Sequence, residues 1–260
     1  MPGNLTADDL VAVIDVEAGH FADEAERVLL TDQVPTCPDW TVVDLIRHLG
    51  GTHRWATAIV SRALQQNLPA DEEAALLQPP ADPADLLRWF RGGAAELGNA
   101  LRSAPENLQA FKFLSGAPPA RQFWARRQAH ETTIHRVDML ATRLGRMPST
   151  AEAAIPAQLA LDGVDELVRG FLPRRSSRLR TTEPFVVVIS PTDATTSWTI
   201  SVSDQPPVVS AGADPNAQSL ISGTSAALYL GLWNRGDDIA ENGTVDALGH
   251  WREQVRIAWS

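Results

Sequence analysis

The sequence predicts an α+β protein in two parts, a helical bundle over residues 1–175 and a smaller α+β domain over residues 181–260. Apolar residues recur at helical spacing as far as Leu172. At Pro173 the pattern breaks into a basic, Pro-containing stretch, and beyond it come short runs of β-branched residues bounded by turn formers. A chain of 260 residues also exceeds the usual size of one domain.

The first helix opens at Thr6-Ala-Asp-Asp, where a hydroxyl three residues ahead of a carboxylate suits a capping box, and Leu10, Val11, Ile14, Ala18 and Phe21 carry its stripe on toward Leu29. Thr36-Cys-Pro-Asp-Trp-Thr is a turn. Thr41 and Asp44 stand at the same capping spacing and open a second helix with Val42, Leu45, Ile46 and Leu49 on its buried side. Trp40 and Trp55 are expected in the core, and Cys37, next to a proline, as an inert thiol. Residues 67–84, rich in Pro, Ala and acids, are expected to form a surface loop. Leu86, Leu87, Phe90, Ala94 and Leu97 define a helix over 85–101, a broken stretch follows, and further helices are expected over 121–144 and 151–172.

Beyond the basic linker, residues 184–190 and 195–203 are expected as strands and 207–210 as a third. Residues 218–233 suggest a helix stopped by Asn234-Arg235-Gly236, followed by a short strand at Thr244-Val-Asp and a last helix over 248–259.

Composition narrows the function. A formal net charge of −10 argues against nucleic acid and anionic membranes as partners. No run of about 18 apolar residues suggests a membrane span, and the acidic start lacks the marks of a secretory signal. One cysteine cannot form an internal disulfide, so a reducing, cytoplasmic setting is expected. Lys112 is the only lysine, a bias that suits the G+C-rich genome of an actinobacterium. Phosphate loops, dinucleotide fingerprints and Cys-x-x-Cys pairs are absent from the sequence.

The stretch that points to chemistry is Ala129-His-Glu-Thr-Thr-Ile-His-Arg-Val-Asp138. On a helix at about 100° per residue, Glu131 and His135 lie roughly 40° apart, one turn above the other, whereas His130 and His135 diverge by roughly 140°. Glu131 and His135 form a pincer for a metal, or else an ordinary helix-surface pair. A catalytic divalent site takes three protein ligands and leaves a position open. His48, at the margin of the second helix's apolar stripe, is the preferred third donor, ahead of His53, which follows a weakening Gly50-Gly51 pair. His48, Glu131 and His135 would then hold zinc or a similar ion. Asp44 and Asp138, each near a candidate histidine, could be supporting acceptors or additional ligands.

The segments Pro38-Asp-Trp-Thr-Val-Val-Asp-Leu-Ile-Arg-His-Leu-Gly-Gly-Thr-His-Arg-Trp55 and Arg127-Gln-Ala-His-Glu-Thr-Thr-Ile-His-Arg-Val-Asp138, with the late stretch over 223–235, resemble the mycothiol-dependent maleylpyruvate isomerase family of DinB-like metalloenzymes. The resemblance implies a DinB-like metal-binding bundle and a sterol-carrier-like α+β domain, with zinc ligands at His48, Glu131 and His135. It implies mycothiol as a low-molecular-weight thiol cosubstrate, a small electrophilic substrate, and either thiol S-transfer or cis/trans isomerisation. Arg235, after Leu232-Trp-Asn, matches a catalytic arginine of the family, and a helix-terminal role for it stays open. A monomer and a homodimer both stay open. Outside that resemblance, the same residues also suit a lipid or small-molecule binding protein with a structural metal, or a metal-dependent hydrolase.

Overall fold

The computed structural model describes residues 5–114 and 116–255. The chain folds as two compact units, one formed by Leu5–Phe113 with Ala117–Pro148, the other chiefly by the residues from Ser149 onward.

In the first unit, α1 (Ala7–Ala25) starts with the expected capping box: Thr6 Oγ1 accepts the Asp9 N–H, and the Asp9 carboxylate accepts the Thr6 N–H. It stops short of Leu29, which is 69% exposed and has no buried face to extend. Between α1 and the next helix the chain makes a small antiparallel hairpin, β1 (Gln33–Val34) and β2 (Cys37–Thr41), where only a turn was expected. Strands this short carry no alternation to detect.

Helix α2 (Val42–Ser61) opens at Thr41 with its own capping box. It runs unbroken through Gly50-Gly51, so the expected weakening there does not occur. The two glycines serve packing instead. A methyl group on Gly50 would overlap the indole of Trp89, and one on Gly51 would press on Leu77 at 3.1 Å. The loop expected over 67–84 contains α3 (Ala70–Leu76), a helix that buries no residue and so leaves no apolar stripe in the sequence.

Helix α4 (Leu86–Ser103) packs on α1 and α2. Helix α5 (Ala120–Leu144) packs on both as well, and Gly145 ends it in the left-handed conformation, at φ +67°. Nearly every residue of α5 from Phe123 to Thr142 is buried, including the charged ones. Buried polar groups need partners, and Arg136 finds Glu17 of α1, with Nε 2.6 Å from Oε2. Phe21, Leu45, Ile46, Phe90 and Met139 form the apolar core between the helices, with the two phenyl rings 4.6 Å apart. Each such side chain contributes about 1.5–3 kcal/mol of burial free energy.

The second unit begins with α6 (Thr150–Ala153) and α7 (Ala157–Asp165), which continues as a π-helical turn over Glu166–Phe171. These replace the single helix expected over 151–172. The break at Pro173 marks the passage from helix to sheet inside this unit.

The sheet has five strands in the order β5-β4-β3-β6-β7: β3 (Phe185–Pro191), β4 (Trp198–Val202), β5 (Val208–Ala211), β6 (Ser219–Gly223) and β7 (Ala240–Gly243). Neighbours are antiparallel except β3 and β6, which run parallel. Phe185, Val187 and Ile189 pair with Val202, Ile200 and Trp198, and all six are buried. Trp198 Nε1 donates to Asp165 Oδ1 at 3.0 Å, tying the sheet to α7.

The helix expected over 218–233 is half strand. Ser219–Gly223 pairs with β3 as β6, and Thr224 then caps α8 (Ser225–Leu232), accepting the Ala227 N–H. Segments this short do not reveal where strand gives way to helix. The strand expected at Thr244-Val-Asp lies slightly earlier, as β7, and Asp246 caps α9 (Ala247–Gln254). The end of the last expected helix, beyond Val255, falls outside the described residues.

Candidate metal centre

Glu131 and His135 stand one turn apart on α5, and His48 reaches them from α2. Glu131 Oε1 lies 3.0 Å from His48 Nε2 and 3.3 Å from His135 Nε2. One ligand atom from each of the three residues falls within 4.8 Å of the others. Ligand atoms at zinc bond lengths of about 2.0–2.1 Å in a tetrahedral shell stand about 3.3 Å apart. The two carboxylate–imidazole separations match that spacing, and the donor set of two imidazoles and a carboxylate suits a divalent transition metal. His48, Glu131 and His135 are the triad that the sequence picks out, and among the described residues no other group of three histidine, cysteine or acidic side chains has this geometry.

The surrounding contacts fix each donor. His135 Nδ1 donates to Asp138 Oδ2 at 2.8 Å, which orients the ring with Nε2 toward the triad, where that nitrogen would have to give up its proton to act as a ligand. Asp138 is fully buried and also accepts the Thr36 hydroxyl at 2.5 Å and the Cys37 thiol at 3.6 Å, so the β1–β2 turn supports the same carboxylate. Asp138 is therefore a supporting acceptor. Asp44, the other acid that the sequence left open, is engaged in the cap of α2, where hydrogen bonds from Thr41 hold its carboxyl below the usual range. Cys37 is half-buried, and its contact to Asp138 places it beside the triad rather than remote from it.

Two further residues escape a search for metal ligands. Arg127, fully buried and one turn before Glu131, directs Nη2 to Glu131 Oε2 at 3.0 Å. Its spacing of four is the one available signal in the sequence. Trp40, expected in the core, is only partly buried, and its ring centroid lies 4.8 Å from that of His48 and 5.9 Å from that of His135. It forms an apolar wall beside the two imidazoles.

His53 and His130 are both buried and lie outside the triad. His53 Nε2 lies 2.9 Å from Thr132 Oγ1, whose own proton goes to the Gln128 carbonyl at 2.7 Å, so His53 must be the donor. Burial holds the His53 ring down to a pKa of about 3, against a smaller pull upward from Glu131. Within the metal-free triad, burial opposes charge on Glu131, but hydrogen bonds from His135 and His48 hold its carboxyl well below the ordinary range. Burial likewise disfavours charge on His135, yet its hydrogen bonds to Asp138 and Glu131 raise it to about 9.

Arg235 belongs to the second unit. Asn234, in the left-handed conformation at φ +59°, ends α8, and the Arg235 N–H donates to the Leu230 carbonyl at 2.7 Å. The guanidinium Nη1 donates to the Trp233 carbonyl at 2.8 Å, the helix-terminal contact that the sequence left open.

A helical unit that brings two imidazoles and a carboxylate together, followed by a sheet unit, defines an α+β protein with a candidate metal site in its bundle. The model of the mycothiol maleylpyruvate isomerase N-terminal domain matches residues 11–140, and that of the corresponding C-terminal domain matches residues 158–250. The chain belongs to the mycothiol maleylpyruvate isomerase family. Among solved structures it is similar to the mycothiol-dependent maleylpyruvate isomerase, with a TM-score of 0.63 at 16% identity, over 94% of this chain and 96% of that one. A histidine-to-alanine variant of that enzyme matches at a TM-score of 0.65, with the same identity and coverage. At this identity the structural likeness establishes the fold. No curated protein sequence matches the chain. Among the described residues no helix is long and apolar enough to cross a membrane.

Proposed function

We propose that the protein is a zinc-dependent enzyme that uses mycothiol as cosubstrate and acts on a small electrophile, by S-transfer or by cis/trans isomerisation. The observation that carries this reading is the convergence of His48, Glu131 and His135, three donors from two helices, one short of a tetrahedral zinc shell. Membership of the isomerase family supplies the thiol. A bound zinc ion lowers the pKa of a coordinated thiol and favours the thiolate, the reactive nucleophile.

The chain's own residues prepare this chemistry. Asp138 orients His135, Arg127 engages the outer oxygen of Glu131, and the Trp40 ring shields the imidazoles from water on one side. In isomerisation the thiolate sulfur adds to one carbon of a cis double bond and the electron pair moves toward the substrate's carbonyl. Rotation about the resulting single bond and expulsion of the thiolate give the trans product. In S-transfer the sulfur stays attached and a leaving group departs with the electron pair, or a proton is taken up where the electrophile is an alkene. Arg235 serves either route by binding a substrate carboxylate or the enolate oxygen that develops.

The test is metal analysis of the purified protein combined with a calorimetric mycothiol titration. One zinc per chain and saturable thiol binding that depends on the metal are expected. A protein without metal, or one that binds mycothiol equally well after chelation, would overturn the proposal.

A further inference from the structure

The two oxygens of Glu131 face different partners. Oε1 is turned to the imidazoles, 3.0 Å from His48 Nε2 and 3.3 Å from His135 Nε2, while Oε2 is 3.0 Å from Arg127 Nη2. Arg127 and Glu131 share α5 at a spacing of one turn, so the helix itself sets their approach. Both are buried, Arg127 fully and Glu131 to all but 4% of its surface, so this ion pair is not screened as a surface pair would be.

We propose that Arg127 is a positioning residue that confines Glu131 to a single ligating oxygen and so keeps a coordination position for an exogenous donor. This rests on the metal site proposed above. A carboxylate with both oxygens available can close on a metal through both and take up the coordination position that a fourth ligand needs. The guanidinium prevents this by retaining Oε2, and its planar, permanently charged fork makes it better suited to the task than an ammonium.

Cobalt(II) provides the readout, because its d–d absorption weakens as coordination rises from four to five and a bound thiolate adds a charge-transfer band. Cobalt-loaded wild type, Arg127→Met and Arg127→Lys are titrated with 2-mercaptoethanol and, separately, with thiocyanate. For Arg127→Met the expected result is a weaker d–d spectrum before ligand is added, together with a fall of about tenfold or more in affinity for both anions, which must then displace the second carboxylate oxygen. Arg127→Lys, which keeps a donor toward Oε2 without the planar fork, should recover only part of the affinity. An Arg127→Met protein with the wild-type spectrum and wild-type anion affinity would overturn the proposal. If that variant does not fold, X-ray structure determination of the zinc-loaded wild type decides the matter. Glu131 bound through Oε1 alone, with Oε2 kept on Arg127, supports the proposal, and Glu131 bound through both oxygens refutes it. Wild type that takes up no metal at all would defeat the metal site itself, a failure distinguishable from either outcome.

Discussion

His53 offers a quantitative test of how the helical unit divides its histidines. It is fully buried on α2, donates from Nε2 to Thr132, and has no partner at Nδ1. The charged and titratable groups around it are Glu131 and His135 on α5 and His48 and Arg54 on its own helix, and burial outweighs them to place its pKa near about 3. In the unfolded chain the same ring titrates near about 6.5. Between those values the unfolded state binds a proton that the native state refuses, so native stability falls as pH drops from about 6.5 toward 3 and is fully present above 6.5. Over the interval from pH 7.5 to 5.0 this one group should remove about 2 kcal/mol. Urea unfolding with a chelator present, followed by circular dichroism at the two pH values, measures the loss. His53→Gln keeps a donor toward Thr132 and cannot titrate, so its stability should vary less than wild type over that interval by about the same 2 kcal/mol. Equal pH dependence in the two proteins would refute the assignment of His53 as a neutral core histidine.

Two further substitutions separate the roles of the site's neighbours. Asp138→Asn removes the charge behind His135 Nδ1 while keeping the shape, and should weaken zinc binding about 10- to 100-fold, measured by competition with a chromophoric chelator. Arg235→Ala should leave zinc content and mycothiol affinity unchanged and lower kcat, by about 10²-fold if its guanidinium stabilises developing charge; an unchanged kcat would confine the residue to its contact with the Trp233 carbonyl at the end of α8.

Much of the first unit was legible because its signals are local. The capping boxes at Thr6 and Thr41 and the one-turn spacing of Glu131 and His135 depend on residues three or four apart, and each appears in the structure as expected. His48 was harder, since its distance from Glu131 in the chain is bridged by packing of α2 on α5; it emerged from the margin of an apolar stripe and from the family resemblance. The argument against His53 was mistaken in its reason, because Gly50 and Gly51 do not interrupt α2 but admit Trp89 and Leu77. His53 is excluded by its burial against Thr132 instead. The second unit was less legible. Residues 218–233 read as one helix, and the division at Gly223-Thr224 is imposed by pairing of β6 with β3, a contact between strands 32 residues apart at Val187 and Ser219. Arg127 went unnoticed and Trp40 was read only as core because neither is a ligand type, and their significance comes from what stands opposite them in space.

The central claim, a metal held by His48, Glu131 and His135 that takes a thiol as thiolate, is tested most directly by X-ray absorption at the zinc edge, with and without saturating mycothiol. The account predicts a first shell of nitrogen and oxygen alone in the thiol-free protein and one added sulfur at about 2.3 Å with the thiol present. A first shell that stays all nitrogen and oxygen at saturation would contradict it and favour a hydrolytic or structural metal.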